Sequence, residues 1–218
     1  MSDDPGRRLY NPPAFREDDP ETLYRLIEAM PLATLITASE EGPLASHLPL
    51  LAARGADGRA TLRGHLAAAN PQVETLDGQP ALAVFHGPAY YVTPAWYASK
   101  REHGRVVPTW NYVVVHVRGR VSVYRDAARL RALVDDLTAQ MERHRDQPWA
   151  VTDAPASFVD RMVGQIVGVD LEVTSIEGKL KLGQNRPAAD RASLAAGLAA
   201  ELPDVAGRLA GLPGMPAD

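Results

Sequence analysis

The stretch Thr109–Tyr124, TWNYVVVHVRGRVSVY, decides the fold. Val113, Val115, Val117, Val121 and Val123 hold odd positions, while His116, Arg118, Arg120 and Ser122 hold even ones. Alternation sustained over so many residues is the mark of a β-strand with one dry and one wet face. Near its start the even face is non-polar as well, with Trp110, Tyr112 and Val114. Both faces are therefore expected to be covered there, and a partner subunit is one way to cover them.

Working back from this strand, Ser99–Val107 (SKREHGRVV) reads as a charged loop, and Thr93-Pro94 as the start of a helical turn through Ala98. Ala81–His86 is an apolar strand that Gly87-Pro88 is expected to break, with Ala89–Val92 extended beyond it. Further back, Leu32–Ala38, Leu44–Ala53 and Ala60–Gly64 read as strands, the last two joined by a hairpin turn at Gly55–Gly58. Asn70-Pro71 starts a short helix. Asp19-Pro20-Glu21 starts another, combining a cap, a first-turn proline and a carboxylate at the positive helix end. Leu23, Leu26, Ile27 and Met30 give that helix its apolar stripe, and Pro31 closes it.

Working forward, Leu130, Leu133, Leu137 and Met141 form one stripe of a helix over Asp126–His144. A shorter helix follows over Pro155–Ile166, then a strand over Val167–Ile176 and a turn over Gly178–Asn185. Helical pieces at Pro187–Leu198 and Asp204–Leu209 precede a loose tail. Strands with short turns, interrupted by helices and lacking regular βαβ alternation, predict a mainly-β (α+β) antiparallel barrel or meander with peripheral helices. The organisation expected is an arm at 1–18, a barrel domain at 19–185 and C-terminal helices at 186–218.

Composition narrows the chemistry. The 218 residues include 17 glycines and 18 prolines, which implies many turns but not disorder. There is no cysteine, which excludes disulfides, thiolate metal sites and thiol nucleophiles. A net charge of −4 argues against nucleic-acid binding by bulk charge. Neither a secretory leader nor a long apolar span is read, so a cytoplasmic protein is expected. Gly178–Gly183 has phosphate-loop spacing, but Gln184-Asn185 follow where Lys-Ser/Thr is needed. The six histidines show no zinc spacing, and a helix-turn-helix is arguable only in Pro187–Leu209, whose basic residues are Arg191 and Arg208.

Four turn-rich stretches put polar and aromatic groups where a plain core would put aliphatics. They are SHLP (Ser46–Pro49), RGHL with Asn70-Pro71 (Arg63–Leu66), PTWNY (Pro108–Tyr112) and GKLKLGQNR (Gly178–Arg186). With YNPPAF (Tyr10–Phe15) and FHGPAYYVTPAWYASK (Phe85–Lys100), they give the chain a resemblance to the PaiB family of FMN-binding negative transcriptional regulators. The matching pieces keep family order from about residue 9 to residue 198.

The resemblance implies an FMN-binding antiparallel split β-barrel that forms a homodimer, with the flavin in a cleft at the subunit interface. It also implies repression of other genes, such as those for sporulation and extracellular proteases. An isoalloxazine ring needs an apolar slot with a few polar groups, and a phosphate needs cations or donors. Carried onto this chain, the cofactor set is Ser46, His47, Leu48, Gly64, His65, Asn70, Trp110, Tyr112, Lys179, Lys181, Gln184 and Asn185. No catalytic residue and no metal site is implied. Plainer roles stay open: Asn70 as a helix cap, Trp110 and Tyr112 as dimer packing, His65 as a turn partner, Lys179 and Lys181 as a solvated edge. The chain departs from the family pattern at Ala68, Val73 and Gly183, losing a phosphate cation and a hydroxyl. Arg63, Lys100, Arg101, Arg105 or a partner subunit's lysines are the candidate replacements. Two other functions compete with the regulator. One is a flavin oxidoreductase of the pyridoxamine phosphate oxidase-like or flavin reductase-like class; the other is a cofactor-free dimeric binding protein.

Overall fold

A computed structural model describes residues 9–55 and 58–215. Ala56 and Asp57 of the expected hairpin turn lie outside the described residues, as do residues 1–8 of the arm and 216–218 of the tail. After a 3₁₀ turn at Pro13–Phe15 come β1 (Arg16–Glu17), α1 (Pro20–Ala29), β2 (Leu32–Ser39), β3 (Gly42–Pro49), β4 (Leu51–Arg54), β5 (Ala60–Ala67), α2 (Val73–Leu76) and β6 (Pro80–Val92). A 3₁₀ turn at Pro94–Trp96 leads to α3 (Ser99–His103), β7 (Thr109–Tyr124), α4 (Ala127–Glu142), α5 (Ala156–Val163), β8 (Ile166–Lys181), α6 (Ala188–Glu201) and α7 (Pro203–Ala210). The strands make one open antiparallel sheet in the order β3-β2-β6-β7-β8-β5-β4, with β1 added to β8. This is the mainly-β architecture with peripheral helices that the alternation predicts.

The chain divides into two compact units. The first comprises Met1–Met30, Phe85–His116 and Ile176–Asp218. Its core holds Leu23, Leu26 and Ile27 of α1, Phe85, Tyr90 and Val92 of β6, and Val113 and Val115 of β7. The expected cap at Asp19 forms: its carboxylate accepts from the Thr22 amide at 3.0 Å. Helix α6 is pinned by a buried carboxylate, Asp190, which accepts from the Ser99 amide at 2.9 Å and the Ser99 hydroxyl at 2.8 Å. Trp96 donates to Glu201 at 2.7 Å and lies so close to Gly197 that a Cβ there would meet its ring at 2.6 Å.

The second unit comprises Pro31–Val84 and Val117–Ser175. Strands β2 and β3 pair from Leu32↔Pro49 to Ser39↔Gly42, and β5 pairs β4 on one side and β8 on the other. The register turns Leu35, Leu48, Leu62, Val167, Val169 and Leu171 inward. Asp126 caps α4, accepting from the Arg129 amide at 2.8 Å. Leu133 and Leu137 of that helix pack with Leu51. Two ion pairs cross between helix and strands: Arg63 of β5 with Asp136 at 2.8 Å, and Arg129 with Asp170 of β8. Arg63 and Asp170 are cross-strand partners, so strands and helix present complementary charge pairs.

Four expectations are corrected. The strand over Leu44–Ala53 is two strands, because the Leu50 amide turns to the Pro31 carbonyl at 2.9 Å. Gly87-Pro88 does not break β6; an extended residue is what proline demands before it, and a Cβ at Gly87 would meet Met30 Sδ at 2.7 Å. The charged loop after Ala98 contains α3, closed by Gly104 at φ 67°. Strand β8 runs through Gly178 to Lys181, so the turn expected from Gly178 begins only beyond it. Gly178 serves packing rather than turning: a Cβ would lie 2.2 Å from Leu23 Cδ2. The left-handed glycine of this segment is Gly183, at φ 88°.

Candidate functional site

In the second unit, Ser46, Leu48, Gly64 and Asn70 meet around one strand end. Ser46 is buried on β3, and its hydroxyl accepts from Asn70 Nδ2 at 2.9 Å. The Asn70 carbonyl oxygen of the side chain accepts from the Gln72 amide at 2.9 Å, and its main-chain carbonyl from Val73 at 3.0 Å. Asn70 therefore shapes the turn into α2 and holds Ser46 at once. Leu48 is a core side chain, so only its backbone can serve a ligand. Gly64 admits that backbone closely: a Cβ would sit 2.7 Å from the Pro49 carbonyl oxygen and 3.2 Å from Leu48 Cδ1. His47 points away from the core and shares a 3.0 Å hydrogen bond with Thr34, its cross-strand partner.

His65 is half-buried, and burial lowers its pKa below the usual histidine value, so the ring is neutral at pH 7. Its Nδ1 is sealed from solvent without a hydrogen-bond partner among the described residues. Gln72, which sequence reasoning missed, is buried; its amide nitrogen donates to Thr37 at 2.8 Å and to the Leu35 carbonyl at 3.4 Å. Gln72 Oε1 is buried without a donor. Only the Asn-Pro-Gln order hinted at it.

In the first unit the structure gathers Tyr112, Lys179 and Lys181. Alternation puts both lysines on one face of β8. Lys179 is only 6% exposed; its ammonium donates to the Tyr10 carbonyl at 2.8 Å and lies 5.2 and 5.5 Å from the rings of Tyr10 and Tyr112. Lys181 donates to the Thr109 hydroxyl at 2.6 Å and the Trp110 carbonyl at 2.8 Å, 6.0 Å from the same Tyr112 ring. Neither ammonium is paired with a carboxylate among the described residues. A cation so deeply buried without a counter-ion is costly, and an arriving anion relieves that cost.

Around this pair, Asn11 donates to the Gly178 carbonyl at 2.7 Å, and Asn111 to the Tyr90 hydroxyl at 3.0 Å. Burial raises the Tyr90 pKa, so it stays a neutral phenol. Gln184 is spent on its own turn, accepting from the Leu182 amide at 2.8 Å and donating to the Leu180 carbonyl. Asn185 is exposed. Trp110 is 58% exposed and meets Tyr91 edge-on at 6.2 Å. Of the even face at this end of β7, Val114 is buried and Tyr112 half-buried, so among the described residues only Trp110 is left uncovered.

The residues fit a flavin phosphate ester. Each unit by itself offers groups of the right kind: the first has two ammoniums with no carboxylate partner among the described residues, which match a phosphate, and the second has the Gly64 cradle and the Ser46–Asn70 pair, which offer close backbone and hydroxyl chemistry. Among the described residues, no group of three or more His, Asp or Glu side chains could hold a metal. No described helix is long and apolar enough to cross a membrane.

Residues 9–175 match the family described as "Putative FMN-binding domain". The protease synthase and sporulation protein PAI 2 of Bacillus subtilis is 31% identical over 84% of this chain and 85% of its own. An uncharacterised protein of Emericella nidulans is 33% identical over 80% of this chain and 84% of its own. Among solved structures, the FAD and heme binding protein of Mycobacterium smegmatis superposes with a TM-score of 0.58 at 20% identity, over 82% of this chain and 78% of that one. The flavocytochrome Anf3 of Azotobacter vinelandii gives 0.53 at 15% identity, over 76% and 69%. At those identities the likeness establishes the fold, the split barrel. The chain belongs to the FMN-binding split-barrel family of PaiB-like proteins that the resemblance in its sequence announced.

Proposed function

We propose that this chain is a homodimeric, FMN-dependent regulator of gene expression. Lys179 and Lys181 supply charge for the FMN phosphate, with Tyr112 and Trp110 as ring surfaces and Gln184 and Asn185 as flanking amides. Ser46, His47, Asn70 and the backbone at Leu48 and Gly64 supply hydrogen bonds, and His65 a neutral imidazole. The observation that carries this reading is the buried Lys179, whose ammonium, like that of Lys181, meets no carboxylate among the described residues. FMN supplies a ring able to accept and return electrons; the protein's part is binding and orientation.

The exposed Trp110–Tyr91 pair supports a second copy at that face. Similarity to PAI 2, named for protease synthesis and sporulation, supports the regulatory role. With a net charge of −4, that role runs through a flavin-sensed signal rather than bulk attraction to DNA. Purified protein tests the reading. We expect a flavin spectrum, lost in Lys179→Met, and a sequence-selective, salt-sensitive shift of a promoter fragment. Full FMN content in Lys179→Met, Lys181→Met and Ser46→Ala alike sinks the site. Failure to shift any promoter fragment at low salt sinks direct repression.

A further inference from the structure

Between β5 and α4, in the second unit, lies a groove of about 280 Å³. Its walls are apolar: Pro49, Val134, Leu137, Met141 and the indole of Trp149. Trp149 is 48% exposed. Three polar side chains reach the lining: Thr138, Glu142 and His65. The Glu142 carboxylate is already engaged, accepting from Arg145 Nε at 3.1 Å and the Trp149 amide at 3.2 Å. Its charge is met by a cation, so the groove offers no free charge to a ligand.

His65 is different. Among the described residues its ring makes no hydrogen bond, and Nδ1 is sealed. A sealed, unpartnered N–H is rarer than an under-used acceptor, so Nδ1 carries the lone pair and Nε2 the proton. Nε2 is not among the sealed atoms, so with the Trp149 indole N–H and the Thr138 hydroxyl it is a donor this lining can offer a ligand. A slot with apolar walls, a few neutral donors and no free charge, at the small end of ligand-site volumes, suits an uncharged, mostly apolar occupant with a hydrogen-bond acceptor.

We propose that this groove binds an uncharged aromatic carbonyl compound of one or two fused rings, its oxygen on His65 Nε2–H and its ring against Trp149 and Met141. The groove holds no free cation for a phosphate, so its ligand is distinct from FMN. His65 is shared with the flavin set, so the groove's place beside the cofactor rests on that reading; its binding chemistry stands on the groove alone.

Coumarin, a neutral bicyclic lactone, is the probe. It is titrated into the FMN-loaded protein while Trp fluorescence, equilibrium dialysis and flavin absorbance are recorded. Saturable one-to-one binding with quenching is expected. In Trp149→Phe the quenching disappears while dialysis still shows binding. Thr138→Phe and Val134→Phe each fill the groove and weaken coumarin at least tenfold with FMN content unchanged. Circular dichroism checks folding, and Thr138→Phe alone decides if Val134→Phe unfolds. The proposal is overturned if binding does not saturate, if a folded groove-filling variant binds normally, or if coumarin releases FMN mole for mole. Protein that binds coumarin in this pattern yet holds no FMN refutes the flavin reading and leaves the groove standing.

Discussion

Gly64→Ala is the sharpest test of the cradle. In an ordinary strand, replacing glycine by alanine stabilises by about 0.4–1 kcal/mol, because the unfolded chain loses freedom. Here the new methyl would meet the Pro49 carbonyl oxygen and Leu50 Cδ2, both at 2.7 Å. Leu50 Cδ2 can rotate away; the Pro49 carbonyl is backbone and is held where β3 gives way to β4. Overpacking of this kind costs about 1–3 kcal/mol; against an entropic gain of about 1 kcal/mol, the middle and upper part of that range leaves a net loss of about 1–2 kcal/mol. For a chain of this length that is a fall in Tm of about 2–8 °C. The matched control is Gly207→Ala in α7, where a Cβ meets nothing within 4 Å. Helix propensity alone then predicts a gain of up to about 1 kcal/mol. Thermal melts of both variants, with flavin absorbance before heating, read stability and cofactor separately. We expect Gly64→Ala to lose both and Gly207→Ala to lose neither. A Gly64→Ala protein that melts no lower than wild type and keeps its FMN would refute the cradle.

Three further outcomes are expected. Lys179→Met keeps the aliphatic packing and removes the ammonium, so FMN should bind about 10–100-fold more weakly, the worth of a charge-assisted bond, with Tm nearly unchanged; isothermal titration reads it. The folded His65 pKa lies below 6.5, so its share of stability is complete above about pH 6.5 and falls on acidification toward the folded value. Wild type should therefore lose more Tm than His65→Gln between pH 7.5 and about 5, and equal losses would contradict the assignment; Asp170, whose pKa burial raises, contributes with opposite sign. Trp110→Glu should shift a dimer to monomer in sedimentation, with circular dichroism unchanged.

Much of the fold was legible because local signals agreed. Strand β7 has the limits its alternation predicts, and the cap at Asp19 starts its helix as expected. Glycine misled where it serves close approach instead of turning. Gly87 and Gly178 sit in strands because Met30 and Leu23 leave no room for a Cβ, a tertiary fact with no local signature. The helical α3 was hidden for the same reason, since the Asp190 carboxylate that caps Ser99 lies 91 residues away. Of the candidate site, the alternation of Lys179 and Lys181 was readable, but their lack of a counter-ion was not. The Ser46–Asn70 bond and the burial of Gln72 depend on the β2–β3 register and could be found only in three dimensions.

The hydrogen bond from Lys179 to the Tyr10 carbonyl spans 169 residues, and that from Asn11 to Gly178 spans 167. On a ribosome adding about 5–20 residues per second, Tyr10 waits about 8–34 s before Lys179 exists. The anion-receiving corner is thus assembled from segments translated far apart in time, and it cannot form on a nascent chain that has not yet emerged through β8. Chains truncated before Lys179 hold all of the β2–β3 hairpin and none of this corner, so the corner is a product of late synthesis.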